Sequence, residues 1–390
     1  MVPALPGLRI PAMSINRERL AENFILLCET DSPSRKEGRI ATLLQNIFTD
    51  LGADEIFEDN TARVTGSDTG NLFVRFHGTR QGEGIFLNCH MDTVQPGEGV
   101  RVRRDNDIFS SMGDTILGSD DKSGIAGIIE AIHSIREEGL DHPPLEIILT
   151  TCEEVGLLGA KSLDPAMVRA KTGYSLDSSG CGLVIIGAPA SNRLEATVRG
   201  TAAHAGLHPE WGINAIKLAA HALTLVPHGR VNEQSTVNFG TIHGGTASNI
   251  VPEKVVIEGE VRSHSLDQLD QLTNQVNKAF IRVIEEWEDK TGEARGKPDL
   301  TFNVRPDFPV MKLDPSASVV RRIDEAARSI GMDLEHKIAG GGSDANIFNG
   351  YGLQTAIIAT GMHHVHSTDE QVELQDMVDL SKLLTALITL

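Results

Sequence analysis

The stretch FLNCHMDTVQPGEG, Phe86 to Gly99, carries the pattern from which the fold can be worked out. It begins as an apolar run typical of a buried strand and ends in His90 and Asp92, followed by a proline and a glycine. Residues i and i+2 of a strand point to the same face, so this imidazole and this carboxylate project together. Open α/β sheets place their ligands at the carboxyl ends of strands. The pattern indicates either a functional site or an ordinary strand end with a turn, and by itself it fits both.

Strand and helix signals alternate on both sides of this stretch. LEIILTT (145–151) is a short apolar run typical of a buried strand, and KSGIAGIIEAIHSIREEG (122–139) has the pattern of a helix that ends at a glycine. Buried strands separated by helices predict an α/β domain in which a mostly parallel sheet is flanked by helices.

The pattern changes after GAPAS (187–191), where alternating strands and one long amphipathic helix begin. The order strand–helix–strand–strand–helix–strand predicts a compact α+β (βαββαβ) domain over residues 191–307. The α/β pattern then returns. The sequence therefore predicts a discontinuous catalytic domain, 1–190 and 308–390, into which the second domain is inserted.

Composition excludes several classes of protein. Lys plus Arg total 35 and Asp plus Glu total 54, a net charge of −19 that argues against nucleic-acid binding and against an anionic membrane surface. The four cysteines lack CxxC spacing, so neither a zinc knuckle nor a disulfide framework fits. The sequence shows neither a secretory leader nor an apolar run long enough to span a bilayer, and we expect a cytoplasmic protein.

Metal-type ligands recur where predicted strands end or helices begin. They are His90 and Asp92, Asp120 and Asp121, Glu153 and Glu154, Asp177, and His366. Because the ends of parallel strands meet at one edge of a sheet, we expect these side chains to converge. Imidazole and carboxylate ligands suit zinc, and also cobalt or manganese. Two such ions can share a bridging carboxylate and a bridging water, while a carboxylate that is not a ligand takes the proton of that water.

Eight motifs follow one another along nearly the whole chain: HMDT, GSDDKSG, EEVG, LDSSG, GTAAHAG, SNIVPE, GEVRSH and HSTDE. In this order they resemble the co-catalytic di-zinc exopeptidases, a family that includes peptidase T, carboxypeptidase G, aminoacylase and succinyl-diaminopimelate desuccinylase. The loop GGGSDANIF (340–348) resembles the substrate-facing loop of the peptidase T branch.

The resemblance implies a role for each ligand-type residue. His90 and Asp177 would hold one metal, Glu154 and His366 the other, and Asp120 would bridge both. Glu153 would be the general base that acts on a metal-bridging hydroxide, and Asp92 would orient the imidazole of His90. His366 is preferred to His363 and His364 because the ligand of the family usually precedes a glutamate by four residues, here Glu370. Asp120 is preferred to Asp121 because it matches the bridging position.

The resemblance also gives the inserted domain a role in dimerisation. His204 would reach the active site of a partner subunit and polarise the substrate carbonyl. Asn249 and Arg262 would hold the carboxylate end of the substrate, and the planar fork of arginine suits that task.

Together the motifs and the resemblance that they carry imply a homodimeric metallopeptidase that cuts a peptide bond near the terminus of a short peptide, as a tripeptide aminopeptidase does. Two divalent ions per subunit, zinc or else cobalt or manganese, are its expected cofactors. An N-acyl-amino-acid amidohydrolase or a carboxypeptidase is an alternative, since the same metal ligands serve them. A non-catalytic metal- or peptide-binding protein is an alternative from a different class.

Overall fold

The structure is a computed structural model, which describes residues 14–390. These residues form two compact units. The first runs to Gly187 and resumes over Met311–Ala339 and Ser343–Leu390, and the second comprises Ala188–Val310 and Gly340–Gly342. The sequence predicts boundaries after residues 190 and 307, and the structure divides the chain after residues 187 and 310. No helix within 14–390 is both long enough and apolar enough to cross a bilayer.

The first unit begins with strands and helices in alternation. In chain order they are α1 (Arg17–Cys28), α2 (Gly38–Asp50), β1 (Glu55–Glu58), α3 (Ala62–Thr65), β2 (Leu72–Phe76), β3 (Ile85–His90), β4 (Val102–Asp105), β5 (Ile108–Ser111), α4 (Ser119–Glu138), β6 (Leu145–Thr150), α5 (Leu158–Ser162), β7 (Thr172–Ser175) and β8 (Leu183–Ala188).

The second unit is one antiparallel sheet with two helices. Its elements are β9 (Ala190–Arg199), α6 (Ala215–Leu225), β10 (Gly229–Asn232), β11 (Ser235–Gly244), β12 (Lys254–Ser263), α7 (Leu266–Glu285) and β13 (Asp299–Phe308). The strand order is β10-β11-β12-β9-β13. The short strand β10 is an addition to the predicted βαββαβ order, because residues 229–232 fold back on the start of β11 as a hairpin. Apolar residues of α6 and α7 pack with those of the sheet in one core.

The chain then returns to the first unit. The remaining elements are β14 (Met311–Lys312), α8 (Ser318–Ser329), β15 (Glu335–Ile338), α9 (Asp344–Gly350), β16 (Gln354–Ile358), β17 (Met362–His363), β18 (Gln371–Glu373) and α10 (Leu374–Thr389).

The main sheet of the first unit has the order β1-β2-β6-β3-β7-β16-β8-β14, with β15 beside β8. Its central strands β6, β3, β7 and β16 are parallel, and β15 is parallel to β8, whereas β1 and β2, β2 and β6, and β8 and β16 pair antiparallel. Every residue of β3 and β6 is buried, as in strands covered on both faces. The α/β fold with a mostly parallel central sheet is therefore confirmed.

A glycine lets the first turn of α4 lie close to the strand ends. A Cβ added at Gly124 would lie 2.6 Å from Asp121 Oδ1, 2.8 Å from Leu176 Cβ and 2.9 Å from Cys89 Sγ. Real Cβ atoms do not approach other atoms so closely, so only glycine allows α4 to pack here. The helix thereby places Asp120 beside the end of β3.

Candidate active site

Several of the ligand-type residues lie at the ends of parallel strands or just after them. His90 is the last residue of β3, Glu153 and Glu154 follow β6, and Asp177 follows β7. Because β3 pairs in parallel with both β6 and β7, the three strand ends share one edge of the sheet. Their side chains can therefore meet there.

Asp120 lies between two imidazoles. Its Oδ1 is 3.0 Å from Nε2 of His90, and its Oδ2 is 3.3 Å from Nε2 of His366. The same Nε2 of His366 lies 2.9 Å from Oε1 of Glu154. One ligand atom each from His90, Asp120 and Glu154 falls within 4.8 Å of the others. The carboxylate that the resemblance gives as the bridge thus contacts one histidine from each proposed metal pair.

The two choices among neighbouring residues can be compared with these contacts. His363, His364 and His366 are all exposed, and His366 reaches Asp120 and Glu154, whereas the rings of His363 and His364 lie beside each other at 6.5 Å. Asp121 instead accepts a hydrogen bond from the backbone N–H of His90 at 3.2 Å. The side chains of Asp120 and Asp121 therefore take different partners.

Asp92 contacts His90 differently from the predicted arrangement. Nδ1 of His90 lies 2.9 Å from the backbone oxygen of Asp92 and 3.6 Å from its carboxylate Oδ1. The Asp92 carboxylate instead accepts hydrogen bonds from the backbone N–H groups of Glu153 and Glu154, at 2.9 and 3.3 Å. Asp92 can therefore orient the imidazole through its main chain while its side chain holds the glutamate pair.

Burial and mutual repulsion raise the pKa values of several carboxyl groups in this cluster. Burial, followed by the charge of Asp120, raises the pKa of Asp177 to about 8. Burial and the charge of Asp177 raise the pKa of Glu153 well above its ordinary value. For His366, hydrogen bonds to Asp120 and Glu154 raise the pKa to about 10. Acids that hold protons and imidazoles that stay charged are what a cluster of excess negative charge produces.

This donor set fits divalent cations. Imidazole nitrogens and carboxylate oxygens are the ligands that zinc takes in proteins, and a cation would relieve the repulsion that raises these pKa values. His90, Asp120, Glu154, Asp177 and His366 are the residues that could hold it. Carboxylates around a bound cation can also accept and release protons, which is the chemistry of hydrolysis.

Two acids of this region were not assigned a role from the sequence. Glu370 is buried, and its carboxylate accepts hydrogen bonds from the backbone N–H groups of Leu117, Gly118 and Asp120 and from the hydroxyl of Ser119. In the sequence, Glu370 stands out only by its position four residues after His366. Asp344, the first residue of α9, accepts a hydrogen bond from Thr150 Oγ1 at 2.5 Å, and burial raises its pKa to about 6.

In the second unit the structure brings His204 and Asn249 together. The N–H of Ala205 donates to the backbone oxygen of Asn249 at 2.9 Å. Nδ1 of the exposed His204 accepts hydrogen bonds from the N–H groups of Gly206 and Leu207, each at 3.2 Å. An imidazole whose Nδ1 accepts carries its proton on Nε2, so this ring presents a donor at Nε2.

Arg262 lies on β12 and pairs with a glutamate two residues away. Its Nε is 2.9 Å from Glu260 Oε1, and its Nη2 donates to Glu260 Oε2 at 3.0 Å. The guanidinium also lies 5.7 Å from the centre of the Phe308 ring. The side chain is half-buried, so its position is held by these contacts.

Comparison with known proteins gives this arrangement its family. The model of peptidase family M20/M25/M40 matches residues 86–390. The uncharacterized protein YqjE of Bacillus subtilis (strain 168) is 38% identical over 96% of this chain and 98% of its own. The crystal structure of aminopeptidase PepT from Bacillus cereus ATCC 10987 is 37% identical, with a TM-score of 0.86 over 96% of this chain and 98% of its own.

A tripeptidase from Staphylococcus aureus subsp. aureus Mu50 (SAV1512) is 33% identical, with a TM-score of 0.87 over the same shares of the two chains. These matches confirm the resemblance that the eight motifs indicate. The chain belongs to peptidase family M20/M25/M40, in its peptidase T-like branch, and is a hydrolase of that family.

Proposed function

We propose that this protein is a metal-dependent aminopeptidase that releases the N-terminal residue of short peptides, above all tripeptides. The observation that carries the proposal is the contact of Asp120 with both His90 and His366. In addition, the sequence is 37% identical to that of an aminopeptidase and 33% identical to that of a tripeptidase, each over 96% of the chain. The similarity supports the substrate class, and the contacts support a paired metal site.

In this proposal each subunit holds two divalent cations, zinc or else cobalt or manganese. His90 and Asp177 would hold the first, Glu154 and His366 would hold the second, and Asp120 would contribute to both. When bound, such cations would polarise the substrate carbonyl and lower the pKa of water, so that it loses a proton readily and becomes a stronger nucleophile.

Glu153 is the proposed general base. Its carboxylate takes the proton of the attacking water and passes it to the nitrogen that leaves. Its burial and the nearby charge of Asp177, which raise its pKa, favour a group that can hold a proton between these two steps. The backbone N–H of Glu153 is held by Asp92, which helps to keep the side chain in place.

Three residues of the second unit are proposed to bind the substrate. The Nε2–H of His204, acting across a dimer, donates to the oxygen of the scissile carbonyl. Arg262 and Asn249 bind the terminal carboxylate. The tautomer set by Gly206 and Leu207 supports the first role, and the restrained guanidinium supports the second.

The excess of acid in the first unit favours an aminopeptidase over a deacylase. Asp92, Asp121 and Asp344 add to the four carboxylates already named, so the acidic side chains of this region outnumber the charges of two divalent cations. A free α-ammonium group is attracted to such a region, whereas an N-acyl group is neutral.

The test is hydrolysis by protein loaded with zinc, cobalt or manganese. Its substrates are a tripeptide with a free amine, the same tripeptide N-acetylated, and several N-acyl amino acids. We expect cleavage of the free tripeptide only, and a loss of about 100-fold or more in kcat for Glu153→Gln. Glu233→Gln, at an exposed position of the second unit, is the control. Preference for the acylated compounds would show that the protein is a deacylase and not an aminopeptidase. Full activity of Glu153→Gln would show that Glu153 is not the general base.

We also propose that the second unit forms a homodimer. Strand β10 pairs with β11 only near its beginning, so among the described residues the outer edge of 240–244 is left open. All five of these residues are exposed, and Ile242 and Ile216 remain 51% and 42% exposed. An open strand edge beside apolar side chains is suited to pairing with a second chain.

Sedimentation velocity tests the dimer. Ile242→Lys should shift the wild-type dimer to monomer, because it places a charge beside the pairing edge. Ile338→Lys, at a 68% exposed isoleucine of the first unit, is the matched control and should stay dimeric. A monomeric wild type, or an Ile242→Lys protein as dimeric as the control, would refute this interface.

A further inference from the structure

Three consecutive backbone N–H groups, in the segment 152–154 that carries the glutamate pair, donate hydrogen bonds to two buried carboxylates. The N–H of Cys152 donates to Glu37 Oε1 at 3.0 Å. The next two, of Glu153 and Glu154, donate to Asp92 Oδ1 and Oδ2 at 2.9 and 3.3 Å. Both accepting carboxylates are fully buried, with no exposed side-chain surface. The main chain from 152 to 154 is therefore held by charge-assisted hydrogen bonds at every residue.

The loop between α1 and α2, residues 29–37, supplies one of these two carboxylates and contacts the other. Ser34 Oγ donates to Asp92 Oδ2 at 2.6 Å, and Glu37 is itself part of the loop. The N–H of Thr93 donates to the backbone oxygen of Ser32 at 3.0 Å, which ties the loop to the residue after Asp92. The sequence motif DSPSRKEG (31–38), which reads as a plain turn, thus contacts the segment that carries both glutamates.

Glu37 is held from its own side as well. Its Oε1 accepts from the N–H of Arg35 at 3.0 Å, and its Oε2 accepts from Ser67 Oγ at 2.5 Å. Burying a carboxylate costs free energy unless such bonds replace its hydration. A loop that only had to turn the chain would not require a buried acid that accepts from four donor atoms.

The conformation of Cys152 explains why the segment needs support. Its φ is +54°, in the left-handed region that non-glycine residues seldom adopt. Such a conformation persists when surrounding bonds hold it, and it sets the direction in which the next side chains leave the backbone. Those next side chains are the proposed general base and a proposed metal ligand.

We propose that Ser34 and Glu37 are positioning residues for the catalytic glutamate pair. Ser34 fixes the carboxylate of Asp92, Glu37 fixes the N–H of Cys152, and together they hold Glu153 and Glu154 at the metal site. This inference rests on the proposed function for its kinetic consequence, but the bonds themselves can be tested in a protein of any activity.

The experiment compares Ser34→Ala with Ser34→Thr, and Glu37→Ala with Glu37→Gln. Threonine keeps the hydroxyl donor, and glutamine keeps an oxygen acceptor for the Cys152 N–H, so each conservative variant should restore what alanine removes. Ser316→Ala is the matched control, because Ser316 Oγ also donates to an aspartate, Asp314, at 2.6 Å on the exposed surface.

Three quantities are measured on each full-length variant: kcat and KM on the tripeptide, bound metal, and hydrogen–deuterium exchange of peptides covering 150–158. For both alanine variants we expect kcat to fall about 10-fold or more, as for other supports of metal-site residues, with bound metal reduced. KM should change less than about 3-fold, and the amides of 152–154 should exchange faster. Ser34→Thr, Glu37→Gln and Ser316→Ala should resemble wild type.

The proposal is overturned if both alanine variants lose thermal stability while kcat, bound metal and exchange at 152–154 stay at wild-type values. That result would make the loop a structural support alone. Should Glu37→Ala fail to fold, Ser34→Ala decides by the same readouts. A wild-type protein without peptidase activity would refute the proposed function, and the exchange measurement would still decide this inference.

Discussion

At the scale of single residues, Glu370 shows how one buried carboxylate can organise a turn. It accepts four hydrogen bonds from residues 117–120, at 2.6 to 3.2 Å, where the chain enters α4. Three of the donors are backbone N–H groups, which otherwise would be unsatisfied at the start of a helix. Because Asp120 is one of the donors, the carboxylate proposed to bridge the metals depends on Glu370 for its place.

We predict that Glu370→Gln weakens metal binding by about 10- to 100-fold, since the amide nitrogen of glutamine cannot accept the bonds of one carboxylate oxygen. Thermal stability should fall too, because each buried donor left without an acceptor costs about 1–3 kcal/mol. Metal content after dialysis and a thermal unfolding curve measure both effects. Glu373→Gln, exposed three residues further along, should change neither. Unchanged metal retention in Glu370→Gln would contradict this role.

At the scale of elements, the glycine loop 340–342 has room for a side chain at its first residue but not at its last. A Cβ at Gly342 would lie 2.4 Å from the ring of Phe308, whereas a Cβ at Gly340 would meet nothing within 4 Å. The loop leads directly into Ser343, whose hydroxyl caps the N-terminus of α9. Close packing at Gly342 therefore determines how the chain enters this helix.

The pair Gly342→Ala and Gly340→Ala tests this difference. Gly342→Ala should lower stability by about 1–3 kcal/mol, as overpacking does, and should lower kcat/KM because Asp344 begins the displaced helix. Gly340→Ala should leave both near wild type. Thermal unfolding and tripeptide kinetics are the measurements, and equal behaviour of the two variants would show that the loop absorbs the added methyl group.

Edge strand β1 is fastened to its neighbour by an ion cluster. Glu55 contacts Arg75 of β2 at 2.9 Å and Arg169 at 2.9 Å. Hydrogen bonds from Arg169, His77 and Arg75 lower the pKa of Glu55 from 4.5 to about 2. A carboxyl whose pKa is lower in the folded state stabilises the fold above its unfolded pKa, and this contribution is lost as pH falls toward 2.

Accordingly, Glu55→Gln should be less stable than wild type above pH 4.5, and the two proteins should converge in stability between pH 4.5 and 2. The difference should be small, because Glu55 is partly exposed and solvent screens its ion pairs. Urea unfolding across this pH range measures it, with exposed Glu325→Gln on α8 as the control. A constant difference at all pH values would mean that the ionisation of Glu55 does not contribute.

At the scale of the whole molecule, the carboxylate cluster links stability to metal. Repulsion among Asp177, Glu153 and their neighbours opposes folding, and a cation that binds only the folded chain opposes that repulsion. Metal at about 100 times its Kd would add about 2.7 kcal/mol to the free energy of unfolding.

We therefore predict that chelation lowers the Tm and that zinc, cobalt or manganese restores it. His366→Ala should reduce this gain, because it removes a proposed ligand of the second metal, while His364→Ala, at a neighbouring exposed position, should keep it. Differential scanning calorimetry with and without each ion is the measurement. A Tm indifferent to all three ions would argue against a metal centre at this edge.

The sequence by itself determined the fold class and the order of the ligand-type residues along the strand ends. Alternation of apolar and polar residues is a local property, so runs such as 145–151 could be assigned to strands before any contact was known. The family could be recognised for the same reason, since His90, Glu153 and Asp177 stand at fixed places relative to their strands. The small strand β10 was missed because four residues carry too little pattern.

Only the tertiary structure decided which of these groups touch. Ser34 lies 58 positions from Asp92, and Asp92 lies 61 positions from Glu153, yet the three are joined by hydrogen bonds. Glu370 reaches the turn before α4 across about 250 positions. Such contacts depend on strand register and on the packing of loops across the sheet edge. Periodicity along the chain contains no information about these distances, and so the supports of the site appear only in the folded molecule.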